Sequence, residues 1–442
     1  MISSKDKALL SKYLPGDDVL TQCMHCGMCL ATCPTYELTK LERSSPRGRI
    51  KLIKSVAEGK LELSNLFAEE MNFCLDCQAC ETACPAGVQY GKMVESARVV
   101  IEQSNIGSSK INKAIKRFLL NSVVANHSRL KLLARILYFY QNSGMRTIIT
   151  KALSVFPFAK KLAEIESLSP VISKVFSSDG MEEKTLSHSK VKYKIAFSTG
   201  CIMDVAFADI NFDTVEVLQK NQCEIITPKA QVCCGSLHAH NGEIEKAREL
   251  AKKNLDVFSG FEYDFLVSNS AGCGAFMKEY VHLFADDPQY AQKAKLFSER
   301  VKDISEFLAN IEPSDQMHPL EEKVTYHDAC HLCHSQKITV EPRKVLQQIP
   351  DLKFVPLEES TWCCGSAGIY NVTRHEDAEK ILERKMKNLR GTGADIVVTG
   401  NPGCIGQLKY GIKKYGLKMK VLHTVSLLKK SMDGKSDLKN LP

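Results

Sequence analysis

The sequence predicts an α+β multidomain protein: a helical N-terminal domain, a helical connector and two tandem α/β domains with parallel sheets. Three observations predict this architecture. Eight cysteines form two runs of equal spacing near the N-terminus, residues 101–190 contain no cysteine, and the other cysteines fall in a duplicated back half. A chain of 442 residues is too long for a single core. The predicted domains span residues 1–100, 101–190, 191–312 and 313–442.

The composition is that of a folded, soluble protein. Hydrophobic residues make up 44% and charged residues 25% of the chain, and no run approaches the roughly 18 consecutive apolar residues of a membrane-spanning helix. The first twenty residues carry charges and lack an apolar signal core, so we expect a cytoplasmic protein. Thiols stay reduced in that compartment, so the 18 cysteines predict metal ligation or redox chemistry in place of disulfides.

The two N-terminal cysteine runs have the spacing of iron–sulfur ligands. Each run reads C-x2-C-x2-C-x3-C-P. A cubane cluster needs four converging thiolates, and in two-cluster ferredoxins the last cysteine of each run binds the other cluster. Zinc is the alternative, but zinc sites usually combine two cysteine pairs. The runs therefore predict two [4Fe–4S] clusters, one held by Cys23, Cys26, Cys29 and Cys84, the other by Cys74, Cys77, Cys80 and Cys33.

The stretch between the two runs predicts helices. Ile50, Ile53 and Val56 recur at three-residue gaps with further apolar residues between them. An insert of this length and periodicity does not fit a small β-hairpin ferredoxin, so a helical two-cluster domain is predicted. Arg47 and Arg49 either offset the negative charge of a cluster or begin a solvated helix.

The connector is predicted to be basic and helical. Residues 101–190 carry 14 basic and 6 acidic residues, which accounts for the whole net charge of +8. Apolar residues at helical spacing, such as Ile111, Ile115 and Phe118, alternate with lysines and arginines. Such helices form a spacer, dock to a partner, or lie on an anionic membrane surface. No nucleic-acid-binding motif accompanies the basic residues, so nucleic acid is not an expected partner.

The back half contains a duplication with an offset near 130 residues. In each copy a predicted strand, Tyr193–Ser198 or Lys323–His327, leads to a first cysteine. A Cys-Cys-Gly triplet then precedes a helix, and a second strand, Phe265–Ser268 or Ile396–Thr399, leads to a last cysteine. Alternating strands and helices predict parallel sheets, whose carboxyl ends form sites.

The matching thiols of each copy therefore predict a metal or redox site, with buried structural cysteines as the alternative. The two sets are Cys201, Cys233, Cys234 and Cys273 in the first copy and Cys330, Cys363, Cys364 and Cys404 in the second.

Two cysteines have no counterpart in the duplication. Cys223 begins a predicted strand and is expected in the core. Cys333 lies between His331 and His334. These three groups either assist a site or serve in packing, and the same two alternatives hold for His327.

These motifs resemble those of a known family. Cys23–Leu38, Ser45–Lys54 and Cys74–Tyr90 are similar to the helical two-cluster ferredoxin domain of the glycolate oxidase iron–sulfur subunit. The duplicated half resembles the paired cysteine-rich, or CCG, domains of that subunit. Such domains also occur in lactate-utilisation iron–sulfur proteins, in the iron–sulfur subunit of anaerobic glycerol-3-phosphate dehydrogenase and in the catalytic subunit of heterodisulfide reductase.

The resemblance implies electron transfer. An FAD-containing dehydrogenase subunit oxidises a 2-hydroxy acid, glycolate or D-lactate, and the iron–sulfur subunit passes the electrons toward quinone. The chain is then a subunit of an oxidoreductase complex that is not catalytic alone. It is expected in the cytoplasm or peripherally at the inner face of the cell membrane. The alternatives are a thiol/disulfide oxidoreductase like heterodisulfide reductase and the iron–sulfur subunit of glycerol-3-phosphate dehydrogenase.

The chain departs from the full CCG motif at one position in each copy. The motif ends in C-x2-C, but Ser270 and Asn401 stand where the first cysteine of that pair is expected. The loss weakens the case for disulfide chemistry. Four thiols remain in each copy and suffice for a cubane cluster, so the CCG domains offer one or two further cluster sites.

Overall fold

The structure is a computed structural model that describes residues 4–147, 164, 166–313 and 316–434. Part of the predicted connector, residues 148–163 and 165, lies outside the described residues.

The N-terminal region is helical, as the insert between the cysteine runs predicts. Pro46 begins α4 with the fixed φ that a first helical turn needs, and the Ser45 hydroxyl caps it by accepting from the Gly48 amide at 3.0 Å. Ile53, Met71 and Met93 are fully buried where the helices meet. The helices are α1 (Ser4–Tyr13), α2 (Asp17–Leu20), α3 (Pro34–Thr39), α4 (Pro46–Ala57), α5 (Asn65–Phe73), α6 (Ala79–Thr82) and α7 (Tyr90–Gln103), with a 3₁₀ turn at Glu42–Ser44.

The next two helices in chain order belong to the predicted connector. They are α8 (Lys110–Phe118) and α9 (His127–Asn142), joined by a π-helical turn, Leu119–Val124. The basic side of α8 faces the protein: Lys116 pairs with Glu102 at 2.6 Å and Arg117 with Glu243 at 2.9 Å. The apolar side of α8 therefore faces outward.

The first copy of the duplication is a five-stranded sheet with the order β1-β3-β2-β4-β5. Only β1 runs antiparallel to its neighbour; the other described pairs are parallel. The strands are β1 (Lys184–Thr185), β2 (Tyr193–Ser198), β3 (Cys223–Ile226), β4 (Phe265–Ser268) and β5 (Val301–Asp303). The helices are α10 (Ser177–Gly180), α11 (Ile202–Ala206), α12 (Ala208–Lys220), α13 (Ser236–His240), α14 (Ile244–Phe258), α15 (Ala271–Lys278), α16 (Tyr280–Leu283), α17 (Ala291–Arg300) and α18 (Ile304–Ala309).

The second copy is a four-stranded parallel sheet with the order β7-β6-β8-β9. Its strands are β6 (Lys323–Tyr326), β7 (Lys353–Phe354), β8 (Ile396–Val398) and β9 (Lys420–Leu422). Its helices are α19 (Glu341–Leu346), α20 (Tyr370–Thr373), α21 (His375–Thr392), α22 (Pro402–Tyr415) and α23 (Thr424–Met432), with a π-helical turn at His331–Ser335.

The two sheets repeat one topology, which confirms the predicted α+β architecture with tandem parallel-sheet domains. In each sheet the strand that precedes the first cysteine, β2 or β6, lies between the next two strands in chain order, and the last strand, β5 or β9, lies beyond β4 or β8. The copies share one apolar core, to which β2 contributes Ile195, β6 contributes Val324 and α23 contributes Leu428. Their cysteine segments consequently lie at equivalent strand ends.

Among the described residues, no helix combines the length and apolar character required to cross a bilayer.

Candidate metal centres

The first three cysteines of the second run and the last cysteine of the first run line one cavity. Cys33 precedes α3, Cys74 follows α5 and Cys80 lies in α6. Together with Cys77 they line one cavity. Burial, and after it neighbouring thiols that include Cys33, raises the pKa of Cys77 and of Cys80. The structure therefore brings together the four residues predicted for the second cluster.

A buried cation lines the same cavity. The Arg49 side chain is fully buried, and its guanidinium donates to the Glu70 backbone oxygen at 2.7 Å and to the Thr35 hydroxyl at 3.0 Å. Its Nη2 has no hydrogen-bond partner within the described part of the chain and lies 3.8 Å from a Glu70 carboxylate oxygen. Burial opposes the charge, but nearby Tyr90, Cys74 and Cys33 raise the pKa of Arg49. Four thiols beside an incompletely paired cation fit an anionic iron–sulfur cluster.

The first cysteine run forms a more open loop. Cys26 is exposed, whereas Cys23, Cys29 and Cys84 are partly buried against the same N-terminal core. Burial raises the pKa of Cys29 to about 11, and the nearby Cys23 and Cys33 thiols add to the effect.

Two contacts support this loop. The Arg47 guanidinium donates to the His25 backbone oxygen at 3.0 Å, and the Gln89 amide donates to the Gln22 side chain at 3.1 Å. The second contact joins the segments that precede Cys23 and follow Cys84. Arg47 therefore supports the first cysteine loop and Arg49 faces the second cavity, so neither arginine merely begins a solvated helix.

The four thiols of the first CCG copy converge at the carboxyl ends of β2 and β4. Hydrogen bonding to Cys233 and burial raise the pKa of Cys201, and the same bond lowers the pKa of Cys233. Cys234 in turn contacts Cys233 and Cys273. The tight turn after the pair needs Gly235, whose φ is +92° and whose missing Cβ would lie 3.1 Å from the Ala247 backbone oxygen.

The four thiols of the second CCG copy converge in the same way. Hydrogen bonding to Cys363 raises the pKa of Cys330, and Cys364 contacts both Cys363 and Cys404. All four side chains are buried. The corresponding glycine is Gly365, with a φ of +88° and only 2.6 Å between a Cβ and the Ala378 backbone oxygen.

Lys385 and His327 distinguish the second CCG site from the first. Lys385 is fully buried, donates to the Glu359 and Ser360 backbone oxygens at 2.5 and 3.2 Å, and lies near Cys330 and Cys364. Burial lowers the pKa of Lys385 to about 8, while the thiols raise it. Burial and the charge of Lys385 lower the pKa of His327 to about 3.

The N-terminal cavity abuts the second CCG site. Cys77, Cys330 and Cys363 pack in one apolar cluster with Phe73 and Trp362. The nearby Cys330 thiol also helps to raise the pKa of Cys77, after burial. The two sets of thiols are thus neighbours although they lie about 250 residues apart in sequence.

The loop between Cys74 and Cys77 also contacts the first CCG copy. Asp76 is buried, and its carboxylate lies 3.4 Å from Arg98 and 3.3 Å from His240. His240 lies 2.6 Å from Glu95. The two acids raise the pKa of His240 to about 10 against the opposing effect of burial.

Ser270 and Asn401, which replace the fifth cysteine of each copy, lie where the two copies meet. The Asn401 amide donates to the Cys404 sulfur at 3.6 Å, and its oxygen accepts from the Gly272 amide at 3.2 Å. The Ala271 amide donates to the Gly400 backbone oxygen at 3.1 Å. These positions join the copies.

The structure also places the residues without a counterpart in the duplication. Cys223 is fully buried in the core, as predicted. Cys333 is buried and its thiol donates to the Cys330 backbone oxygen at 3.7 Å, and His334 contacts the Thr82 hydroxyl at 2.9 Å. His331 donates to the Asp76 backbone oxygen.

Sequence reasoning missed Lys385, Asp76 and His240. Lys385 could have been found, because it occupies a position on the apolar stripe of α21 between Ile381 and Leu389. Asp76 and His240 carry no comparable signal, since their roles come from contacts between distant segments.

Comparison with known protein families agrees with this arrangement. A family described as cysteine-rich domain matches residues 195–278 and 324–409, and one described as 4Fe-4S dicluster domain matches residues 19–88. A third, described as the linker region of the glycolate oxidase iron–sulfur subunit, matches residues 111–169. The matched cysteines support multiple iron–sulfur clusters.

Curated relatives match most of the chain. The probable glycolate oxidase iron–sulfur subunit of Bacillus subtilis is 37% identical, over 92% of this chain and 93% of its own length. The glycolate oxidase iron–sulfur subunit of Escherichia coli is 31% identical, over 89% and 91%. Lactate utilization protein A of Bacillus licheniformis is 29% identical, over 53% and 98%. A hypothetical protein from Helicobacter pylori, 10% identical, shares the fold with a TM-score of 0.50, over 97% of this chain and 76% of that one.

Proposed function

The chain belongs to the family of glycolate oxidase iron–sulfur subunits, and on this basis we propose that it carries electrons from an FAD-containing 2-hydroxyacid dehydrogenase toward quinone. Oxidation of glycolate or D-lactate on the flavoprotein releases two electrons and two protons. The electrons pass singly through this chain, and quinone takes up both with two protons. The chain binds no hydroxy acid itself.

The cluster ligands assigned to this relay are the eight N-terminal cysteines. Cys23, Cys26, Cys29 and Cys84 hold one [4Fe–4S] cluster, and Cys74, Cys77, Cys80 and Cys33 hold the other. Such clusters supply one-electron redox chemistry when bound. The cavity shared by Cys33 with the second run carries this proposal, because a last cysteine that crosses to the other run is what a two-cluster motif requires.

The contact between Cys77 and the second CCG site gives the relay a neighbouring centre beyond the N-terminal clusters. Cys77 packs with Cys330 and Cys363 in one apolar cluster, so a centre held by the second CCG thiols receives electrons across protein atoms alone. The four thiols of the second CCG site are between 1% and 9% exposed. A disulfide substrate has to reach a sulfur atom directly, so this burial favours an electron relay over a thiol/disulfide oxidoreductase.

A matched pair of cysteine variants tests the ligand assignment. Full-length protein purified without oxygen is expected to contain at least about eight irons per chain, and Cys33→Ser to lose about four of them. Cys223→Ala is the control, because Cys223 is also buried but lies in the core of the first sheet. Unchanged iron in Cys33→Ser, with the control also unchanged, would refute the assignment.

Electron transfer is tested separately by co-purification. The native complex is expected to contain a flavoprotein, and glycolate or D-lactate is expected to reduce the clusters only when that flavoprotein is present. Reduction of the isolated chain by either acid would contradict the proposal.

We further propose that α8 and α9 hold the chain to a membrane surface through their apolar sides. Ile111, Phe118, Ile136 and Phe139 are 58–73% exposed on the outward sides of these helices. Exposed apolar side chains along amphipathic helices are typical of interfacial membrane binding.

Vesicle flotation tests this contact. The protein is expected to float with vesicles of phosphatidylcholine and phosphatidylglycerol, and Phe118→Ser/Phe139→Ser is expected to weaken binding about tenfold or more. Leu296→Ser, which alters an exposed leucine on α17, is the control. Equal flotation of all three proteins would rule out this surface.

A further inference from the structure

His327 is a buried histidine whose ring nitrogens lack hydrogen-bond partners among the described residues. It follows β6 directly, and its side chain is fully buried. Neither ring nitrogen has a hydrogen-bond partner among residues 4–147, 164, 166–313 and 316–434. Buried polar groups are normally paired, so an imidazole with two unpaired nitrogens needs an explanation.

The imidazole lies against the second CCG thiols. One nitrogen of His327 and the sulfur atoms of Cys364 and Cys404 all lie within 4.8 Å of one another. Ligand atoms on one metal ion are roughly 3.5–4 Å apart, given metal–sulfur and metal–nitrogen bonds of about 2.3 and 2.1 Å. Small side-chain movements therefore bring the imidazole nitrogen within bonding distance of a metal held by these thiols.

The neighbouring polar groups are engaged elsewhere or lie outside hydrogen-bond geometry. The Ser360 backbone oxygen lies near the ring without completing a hydrogen bond to it. Asp328 pairs with Arg343 at 2.7 Å. Lys385 is engaged with the backbone oxygens of Glu359 and Ser360.

The duplication shows that the strand does not need a histidine here. With the offset that pairs Cys201 with Cys330, His327 corresponds to Ser198 in β2. Ser198 is buried at the equivalent position in β2, so the strand forms there with a small side chain in place of an imidazole. The histidine is therefore specific to the second site, at which Asn401 leaves the set of sulfur donors one short.

We propose that His327 is an imidazole ligand to iron in a cluster held by the second CCG site, beside Cys364 and Cys404. This inference rests on the proposed loading of that site. A neutral imidazole in place of a thiolate makes the centre less negative, which raises its reduction potential.

Hyperfine spectroscopy on the full-length protein tests the ligand. The chain is labelled with ¹⁵N-histidine, purified without oxygen and reduced. We expect more than about eight irons per chain and a directly coordinated ¹⁵N coupling that is lost in His327→Ala. His423→Gln is the control and should retain the coupling, because both nitrogens of His423 are already bonded, to the Asn269 oxygen and the Val425 amide.

Three results would overturn the inference. If His327→Ala keeps the wild-type coupling, or the wild type lacks it although further iron is present, His327 is not a ligand and the relay stands. If the wild type holds only about eight irons, the second CCG site is not loaded, and that part of the relay fails too. Should His327→Ala not fold, His327→Cys serves instead, with iron retained and the coupling lost.

Discussion

The Nε2 of His331 donates a 3.0 Å hydrogen bond to the backbone oxygen of Asp76. Asp76 lies between Cys74 and Cys77, and His331 follows Cys330. One hydrogen bond therefore fixes the second N-terminal cysteine loop against the second CCG site. A relay needs fixed distances between its centres, and this bond helps to set one of them.

We expect Arg49 to tune the second N-terminal cluster. Reduction adds negative charge beside a buried cation, so Arg49→Met should lower the reduction potential, on the order of 100 mV for an interaction of about 2 kcal/mol. Redox titration followed by electron paramagnetic resonance measures the shift.

Arg43→Met is the matched control for Arg49. Arg43 also pairs with Glu70, at 2.8 Å, but it is half exposed and does not line the cavity. Equal shifts in both variants would mean that Glu70, and not the charge of Arg49 at the cavity, controls the potential.

The predictable part of the fold is the part that repeats. Strand β2 spans Tyr193–Ser198 and β4 spans Phe265–Ser268, as predicted, because short buried strands and their cysteines recur at one offset. The outward apolar side of α8 was not predictable from its periodicity. Helical spacing shows that one side is apolar, but the inward orientation depends on Glu102 and Glu243, which come from other elements. Contacts of this kind also position His240.

We expect Gly365→Ala to disrupt the second CCG site. Gly365 has a φ of +88°, and a Cβ there would approach the Ala378 backbone oxygen to 2.6 Å. Backbone strain and the clash together should cost roughly 2–4 kcal/mol, with a lower melting temperature and loss of iron beyond the N-terminal clusters.

Gly393→Ala separates the clash from the strain. Gly393 also has a positive φ, +57°, but a Cβ there would meet no atom within 4 Å. Gly393→Ala should lower the free energy of unfolding by only about 1 kcal/mol, and the variant should retain its iron. Similar losses in both variants would show that the close approach of Gly365 to α21 is unimportant.

We expect His240 to stabilise the junction between the N-terminal domain and the first CCG copy. Replacing its charge in His240→Gln leaves Asp76 and Glu95 close together without the cation between them, at a cost of about 2–4 kcal/mol. Thermal unfolding of His240→Gln against His282→Gln, an exposed histidine on α16, measures the loss. The double variant His240→Gln/Glu95→Gln should recover part of the lost stability. If the effects of the two substitutions simply add, the coupling between His240 and Glu95 is contradicted.

Asp213 should make the stability of the back half depend on pH. Burial raises the pKa of Asp213 to about 6, against an ordinary value of 3.8, although the Ser426 hydroxyl donates to it at 2.6 Å. The folded state therefore binds the proton more tightly than the unfolded state. Stability falls as the pH rises from about 4 to about 6, and the full penalty remains above that range.

Asp213→Asn removes this charge but keeps an oxygen for Ser426. It should stabilise the protein above pH 6 by about 1–3 kcal/mol and flatten the dependence between pH 4 and 6. Melting temperatures across pH 4–8 measure both effects, with Asp286→Asn, an exposed aspartate, as the control. Asp213 lies on α12 and Ser426 on α23. A stabilised variant would therefore show that the cost of ionising Asp213 arises where α23 packs against the first copy. A variant less stable than the wild type at pH 8 would show that the ionised carboxylate is the better partner for Ser426.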